Sequence, residues 1–338
     1  MNHITMSELQ ARQGTLMVLL DNKYGPPIPR GLTVMPEKES LYATDVYFWE
    51  GWEDLVDVEQ EARLPVLLAH TFILVRPDAI ASRKIESILQ WLRLNGYSVV
   101  DGVAVQLDRH QVRSLWLYQW NAALPERKGA CDILMGACPS LLLLIRSMPG
   151  EDEIATRRFA RQKGRADPKS SRPGDLRASM GHRSIMLSLI HSPDEPADFL
   201  REIAVVLPEK SRKSLLDRML TGATRAEDEL SSLAKRLYEG VAEHTLELEP
   251  SLARVERAAK NSMLTHSRAS SDALGLIEDI RRGRRTDWRE LFGLLDDCGA
   301  LYDEWDRITI AGHIITMNSD NVRLLIPRVP EGNSSLMP

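Results

Sequence analysis

The chain is poor in cysteine, in long apolar runs and in excess charge of either sign. Its 338 residues include 3 cysteines, Cys131, Cys138 and Cys298, and their spacing fits neither a disulfide framework nor a zinc site. A reducing compartment is therefore expected. The most apolar stretch, from Ile133 to Ile145, is shorter than the roughly 20 residues that a membrane span needs.

The charges of the chain nearly cancel, with 43 basic and 48 acidic side chains and a formal net charge of −5. This balance excludes a global attraction to nucleic acid or to an anionic membrane, so any anion site must be built locally. The first twenty residues carry charged side chains ahead of a short apolar patch and do not fit a secretory signal. We expect a cytoplasmic protein with no membrane partner, and no nucleic-acid partner is predicted.

The pattern of residue types divides the chain into four segments, 1–65, 66–207, 208–326 and 327–338. The first mixes proline-rich turns with isolated aromatic residues, which cannot form a core alone, and is expected to pack as an extension. The third repeats leucines at helical spacing and predicts a mainly α-helical domain. Within it, Thr224 and Glu227 predict a capping box, and residues 308–325 alternate like a strand. The last segment is expected to be disordered.

The second segment, 66–207, alternates strand-like and helix-like stretches. Strands are predicted for the apolar or alternating stretches Val66–Val75, Tyr97–Leu107, Ser140–Ile145 and Ser184–Ile190. Apolar residues at helical spacing follow the first strand, and further helices separate or follow the others. The order predicts an α+β fold with a ferredoxin-like antiparallel sheet.

A polar loop after the third predicted strand concentrates positive charge. It contains the cations Arg161, Lys163, Arg165, Lys169, Arg172 and Arg177 around two glycines and two prolines. One interpretation is a solvated, flexible loop. The other is a polyphosphate clamp, because guanidinium groups bind phosphate oxygens in pairs and spread transition-state charge.

His191 follows the last apolar strand, and Glu202 lies eleven residues later on a predicted helix. A histidine at a strand end is compatible with a purely structural or surface role. It is also compatible with a nucleophile, because a neutral imidazole accepts a phosphoryl group when a second acceptor fixes its tautomer.

Five motifs, in one order and register, give the chain a resemblance to the nucleoside diphosphate kinase family. They are Thr71–Asp78, Cys138-Pro139, Asp167-Pro168 with Ser171–Arg177, Ile190-His191 and Glu202-Ile203. The resemblance extends from Thr71 to Leu207 and includes none of the flanking sequence. It implies a kinase that takes the γ-phosphate of a nucleoside triphosphate onto a histidine and passes it to a nucleoside diphosphate.

The resemblance also implies roles for individual residues. His191 would be phosphorylated, Glu202 would hold its other ring nitrogen, and Tyr118 would lie beside the transferred group. The expected phosphate ligands are Arg76, Arg161, Arg165, Arg177 and Ser188. Family members also use Mg²⁺ bound to the nucleotide and assemble into homo-oligomers, so both are expected here.

Three positions depart from the family pattern. Ala166 replaces a phosphate-binding threonine, Ser188 an asparagine, and Pro193 a serine two residues after the histidine. Each change removes a hydrogen bond of a kind typically worth ~1.5 to 3 kcal/mol. Two hypotheses therefore stay open: a phosphotransferase of reduced activity, and a nucleotide-binding sensor or scaffold that signals through the helical domain.

Overall fold

The centre of the molecule is a four-stranded antiparallel sheet. The computed structural model describes residues 27–55, 60–148, 153–262 and 267–327. The strands are β1 (His70–Val75), β2 (Tyr97–Val105), β3 (Ser140–Ser147) and β4 (Ile190–His191). They lie in the order β2-β3-β1-β4, with every neighbouring pair antiparallel. The predicted α+β fold with a ferredoxin-like sheet is confirmed.

Helices precede, connect and follow the strands. Those of the first two segments are α1 (Pro36–Tyr42), α2 (Val46–Glu53), α3 (Gln60–Ala69), α4 (Pro77–Ala81), α5 (Ile85–Leu94), α6 (Arg109–Leu115), α7 (Pro125–Gly136), α8 (Ala155–Lys163), α9 (Leu176–Met180) and α10 (Pro196–Val206). All six residues of β1 are buried. Pro77 at the first position of α4 starts a helix directly after β1, since its fixed φ suits that position.

Two predicted strands are wrong in extent. Residues 66–69 end helix α3, because a short apolar run does not distinguish a buried strand from a buried helix. Within the run 184–190 only Ile190 pairs as a strand, together with His191, which follows the run. Leu189 has a φ of 67°, and its backbone groups bond to the Asp78 carboxylate and to the Arg76 N–H instead of a neighbouring strand.

The described residues 27–55 of the N-terminal segment pack on α10, the helix that follows β4. Gly51 of α2 lies against the backbone of Leu200, and a Cβ atom at Gly51 would lie 2.1 Å from the Leu200 carbonyl oxygen. Glycine therefore permits a backbone-to-backbone approach that any larger residue would prevent. This contact places polar side chains of the range 27–55 beside α10, the helix that carries Glu202.

The third segment is mainly helical, as predicted. Its helices are α11 (Glu209–Thr221), α12 (Glu227–Glu239), α13 (Leu248–Ser262), α14 (Ser267–Arg281), α15 (Trp288–Asp297) and α16 (Glu304–Ile314).

The predicted capping box is wrong, because α12 begins at Glu227 with Ala226 as its N-cap. The predicted strand at 308–325 is also wrong. Its first part completes α16, and a single bridge joins Asn318 to Ala123. The predicted disordered tail lies outside the described residues beyond 327, and the domain boundaries stay a prediction.

Candidate active site

His191 lies at the end of β4, paired with Leu74 of β1, and its side chain is 16% exposed. Its Nε2 atom is 2.8 Å from Oε2 of Glu202, which α10 brings back beside the strand end. A carboxylate only accepts hydrogen bonds, so this contact fits the tautomer that carries its proton on Nε2. The lone pair of that tautomer is on Nδ1, the nitrogen able to act as a nucleophile.

The aromatic ring that contacts the imidazole belongs to Trp116, at the C-terminal end of α6. The two ring centroids are 5.4 Å apart with an interplanar angle of 84°, and Trp116 also stacks on Trp120. Tyr118, the aromatic residue predicted for the site, instead donates its hydroxyl to Asp45 at 2.7 Å. Both aromatics belong to one short stretch, and a role of Tyr118 beside the transferred group stays a prediction.

Arg76 follows β1 and is buried, with 6% of its surface exposed. Its Nη1 atom donates to the hydroxyl of Ser188 at 3.1 Å, and Nη2 donates to the carbonyl of Met186 at 2.6 Å. The Nε atom is 3.3 Å from Oδ1 of Asp78. The guanidinium is thus held next to β4 by the loop that leads into it.

Arg177 contacts the backbone carbonyl of the same serine. Its three nitrogens donate to the backbone carbonyls of Gly164, Ser188 and Ile190. Burial lowers the pKa of Arg177 to about 10, and the charge of Arg76 acts in the same direction. Two guanidiniums therefore meet at Ser188, close to the strand end that carries His191, and a bound anion would relieve their mutual repulsion.

Arg161 and Arg165 are the other two arginines of this loop that were predicted as phosphate ligands. Arg161 is exposed and forms a bidentate ion pair with Glu153, whereas Arg165 is partly buried. Asp167 accepts from the N–H of Lys169, and Asp175 accepts from that of Arg172. Side chains of the loop thus fix its backbone, and the interpretation of a purely solvated loop does not fit.

Lys163 belongs to the polar loop identified in the sequence but was not among the predicted phosphate ligands. Its Nζ atom donates to the carbonyl and hydroxyl of Ser192 at 2.9 and 2.8 Å and lies 2.8 Å from Asp194. It thereby fixes the turn directly after His191. Its place in the cationic loop, as the last residue of a basic helix just before Gly164, was the available signal.

The N-terminal segment supplies buried charges to α10 and to the turn before it. Lys38 lies 3.0 Å from Glu195 and 2.6 Å from Asp198. Burial acts to lower the pKa of Lys38, but these two carboxylates outweigh it and the pKa is raised. Burial acts to raise the pKa of Glu195, but Lys38 and a hydrogen bond from Thr33 outweigh it and the pKa is lowered.

The described residues also bear on metals, disulfides and membranes. Within them, no group of three or more histidine, cysteine, aspartate or glutamate side chains is arranged to hold a metal ion. The three cysteines are buried and unpaired, and burial raises the pKa of Cys131 and of Cys138 to about 12. Across the same residues no helix has the length and apolar character to cross a membrane. The cytoplasmic location stays a prediction.

Comparison with known proteins adds to this geometry. Residues 69–211 match the family model for nucleoside diphosphate kinase. The nucleoside diphosphate kinase of Thiobacillus denitrificans is 30% identical over 138 residues, which cover 41% of this chain and 91% of that protein. The enzyme of Legionella pneumophila is 29% identical over 134 residues, covering 40% of this chain and 89% of its own.

Solved structures give matches of the same extent. The nucleoside diphosphate kinase of Aquifex aeolicus is 20% identical with a TM-score of 0.35, covering 41% of this chain and 94% of that chain. The enzyme of Encephalitozoon cuniculi is 22% identical with a TM-score of 0.35, covering 41% and 92%. From the family model and the near-complete coverage of the first relative, the chain belongs to the nucleoside diphosphate kinase family.

Proposed function

We propose that the protein transfers the γ-phosphate of a nucleoside triphosphate to a nucleoside diphosphate, or to a related acceptor, through a phosphohistidine at His191. The observation that carries this proposal is the 2.8 Å contact between Nε2 of His191 and Glu202. It fixes the proton on one ring nitrogen and leaves Nδ1 for attack on phosphorus. Membership of the family supports the same reaction.

In the first half of the reaction, Nδ1 bonds to the γ-phosphorus while the bond from phosphorus to the bridging oxygen breaks and a nucleoside diphosphate leaves. The Nε2 proton stays in its hydrogen bond, and Glu202 stabilises the positive charge that develops on the ring. In the second half, a terminal oxygen of the acceptor attacks the phosphorus, the bond from phosphorus to Nδ1 breaks, and its electron pair returns to Nδ1 of the neutral imidazole. Mg²⁺ would be held by the phosphates of the nucleotide rather than by a cage of protein ligands, and would neutralise part of their charge.

Arg76 and Arg177 are the proposed phosphate ligands, with Ser188 between them. An arginine carries five N–H donors, so each can bind a phosphate oxygen while it keeps its contacts to the protein. Tyr118 and Arg161 stay predicted site residues, but each must leave its carboxylate partner, Asp45 or Glu153, to reach a phosphate. Arg165 is proposed as a further ligand from the same loop.

A second candidate function is a nucleotide sensor with little or no phosphoryl transfer. The observation that favours it is the commitment of Arg177 to three backbone carbonyls, together with the absent hydroxyls at Ala166 and Pro193. A site that binds phosphate without stabilising the transition state gives affinity without turnover.

Labelling with γ-labelled ATP distinguishes the two candidates. The kinase predicts acid-labile, base-stable label on the wild-type protein and its loss in His191→Ala. Glu202→Gln should slow labelling about 10- to 100-fold, because the amide keeps the contact but loses the charge. His110→Ala is the matched control, since His110 is an exposed histidine of the same domain, and it should label normally.

Two results would count against the kinase. Label that persists in the His191→Ala variant would place the reaction elsewhere. Absence of label in the wild-type protein, together with measurable binding of a nucleoside diphosphate, would support the sensor.

Of two further kinds of partner, other copies of this chain and nucleic acid, only the first is proposed. Assembly into homo-oligomers is proposed on the family resemblance alone. The arginine-rich end of α14 supports no nucleic-acid partner, because carboxylates neutralise its cations. The ion pairs are Arg281 with Glu249 and Glu256, Arg282 with Glu278, and Arg284 with Asp279.

A further inference from the structure

A buried ion pair joins the N-terminal segment, which lies outside the family region 69–211, to α10, which lies within it. Nε of Arg201 is 2.8 Å from Oδ2 of Asp45, and the two side chains are 2% and 4% exposed. The other carboxylate oxygen of Asp45 accepts from the backbone N–H groups of Tyr47 and Phe48, at the start of α2. The position of the charge is thus fixed by a helix N-terminus.

The guanidinium of Arg201 also holds the end of α6. Its Nη2 atom donates to the carbonyl of Ser114 at 2.6 Å, and Nη1 donates to that of Leu115 at 3.3 Å. The next residue in the chain is Trp116, whose ring contacts His191. Arg201 therefore fixes the backbone from which that ring extends.

Arg201 directly precedes Glu202, the carboxylate on Nε2 of His191. The buried guanidinium of Arg201 is therefore connected to both side chains that contact the imidazole. It is connected to Trp116 through the end of α6 and to Glu202 through α10. Burying a guanidinium costs free energy, and a carboxylate in contact with it offsets that cost. Asp45 provides that carboxylate.

We propose that Asp45 is a positioning residue for phosphoryl transfer at His191. By neutralising Arg201 it keeps Trp116 and Glu202 on either side of the ring, so that Nδ1 faces the substrate. The N-terminal segment is on this view part of the active site, although it lies outside the family region. The inference rests on the proposed function for its effect on rate, but its effect on the imidazole is independent of any turnover.

Asp45→Asn in the full-length protein tests the proposal. The amide keeps the size of the side chain and the cap of α2 but removes the charge. Labelling with γ-labelled ATP should slow about 10- to 100-fold, because small misplacements of reacting groups have effects of this size. The Kd for a nucleoside diphosphate should change less than about threefold, since Asp45 is not among the proposed phosphate ligands. Nitrogen NMR of the His191 ring should change from one tautomer to a mixture.

Asp54→Asn is the matched control. Asp54 belongs to the same segment and forms a comparably buried ion pair with Arg212 of α11, the two side chains being 6% and 5% exposed. That arginine donates to the carbonyl of Leu207 and to no group beside His191. The control variant should therefore lose stability, yet keep the wild-type labelling rate and the wild-type imidazole spectrum.

The double variant Asp45→Asn with Arg201→Met separates positioning from folding. Replacing a buried ion pair by neutral groups often restores stability, so the melting temperature should recover while labelling stays slow. Recovery of the labelling rate would overturn the proposal, as would a wild-type imidazole spectrum in Asp45→Asn or an altered one in Asp54→Asn. If the wild-type protein takes no label, the kinase proposal fails, and the tautomer of His191 still decides the role of Asp45.

Discussion

Arg177 and Arg76 combine a structural role with a proposed role in phosphate binding. Arg177 connects the loop at Gly164 to the strand end at Ile190 through hydrogen bonds to backbone carbonyls. Burying such a carbonyl without a hydrogen-bond donor costs the folded state free energy. A substitution at Arg177 should therefore change the stability of the protein as well as its affinity for phosphate.

Arg177→Lys should lower the free energy of unfolding by about 3 kcal/mol, because one ammonium cannot satisfy three separated carbonyls and each buried loss costs ~1 to 3 kcal/mol. Urea unfolding measures the change. Arg161→Lys is the control, since Arg161 is 56% exposed in its ion pair and should change stability by less than about 0.5 kcal/mol. Equal stability of the Arg177 variant and the wild-type protein would contradict the structural role.

Among the secondary-structure elements, α16 is held to α13 by a buried carboxylate. Asp306 of α16 is 1% exposed and lies 2.6 Å from Nη2 of Arg254 and 3.0 Å from Nε2 of His244. Burial acts to raise the pKa of Asp306, but hydrogen bonds from His244 and Arg254 outweigh it and the pKa is lowered. The contact between these two helices should therefore weaken in acid.

Asp306→Asn should lower the free energy of unfolding by about 2 kcal/mol at neutral pH. A lowered folded-state pKa means that the contribution is present above the unfolded-state pKa of about 3.9 and is lost as the pH falls through the folded-state value. The difference in the free energy of unfolding between the variant and the wild-type protein should thus shrink toward zero as the pH falls below about 4. Urea titrations at a series of pH values measure it.

Asp272→Asn is the comparison for that experiment. Asp272 is 56% exposed and lies 4.0 Å from Arg268, which is 96% exposed. The difference in the free energy of unfolding between Asp272→Asn and the wild-type protein should be small and independent of pH. A constant difference for Asp306→Asn across the same range would show that its carboxylate has an ordinary pKa.

In the whole molecule, one apolar core continues from the N-terminal segment through the sheet into the helical region. The connection comes close to the candidate site at Gly312 of α16. A Cβ atom at Gly312 would lie 2.8 Å from Cγ of Leu187, and Leu187 precedes Ser188 in the chain. The sheet and the helical region should therefore unfold together.

Gly312→Ala should lower stability by about 1 to 3 kcal/mol, because overpacking outweighs the gain in helix propensity. Calorimetry should record one transition at a lower temperature. In Gly293→Ala the new methyl has no atom within 4 Å, so that helix should be stabilised by about 0.5 to 1 kcal/mol. Two separate transitions in the wild-type protein would contradict a single cooperative unit.

Local pattern was sufficient for much of the fold. Alternation and helical spacing located β2, β3 and α5, because side-chain burial follows the period of the element. It failed at residues 184–189, where the left-handed Leu189 and the contacts of its backbone to Asp78 and Arg76 end the pairing. No periodicity reveals such contacts between distant parts of the chain.

Local periodicity was enough to predict the antiparallel fold, and the resemblance of five motifs indicated the family and the pairing of His191 with Glu202. The contact of Trp116 with the imidazole and the neutralisation of Arg201 by Asp45 are visible only in the folded molecule. The last two residues are 156 positions apart. Their attraction exists only after the chain excludes water from both, and burial of that kind is a property of the folded whole.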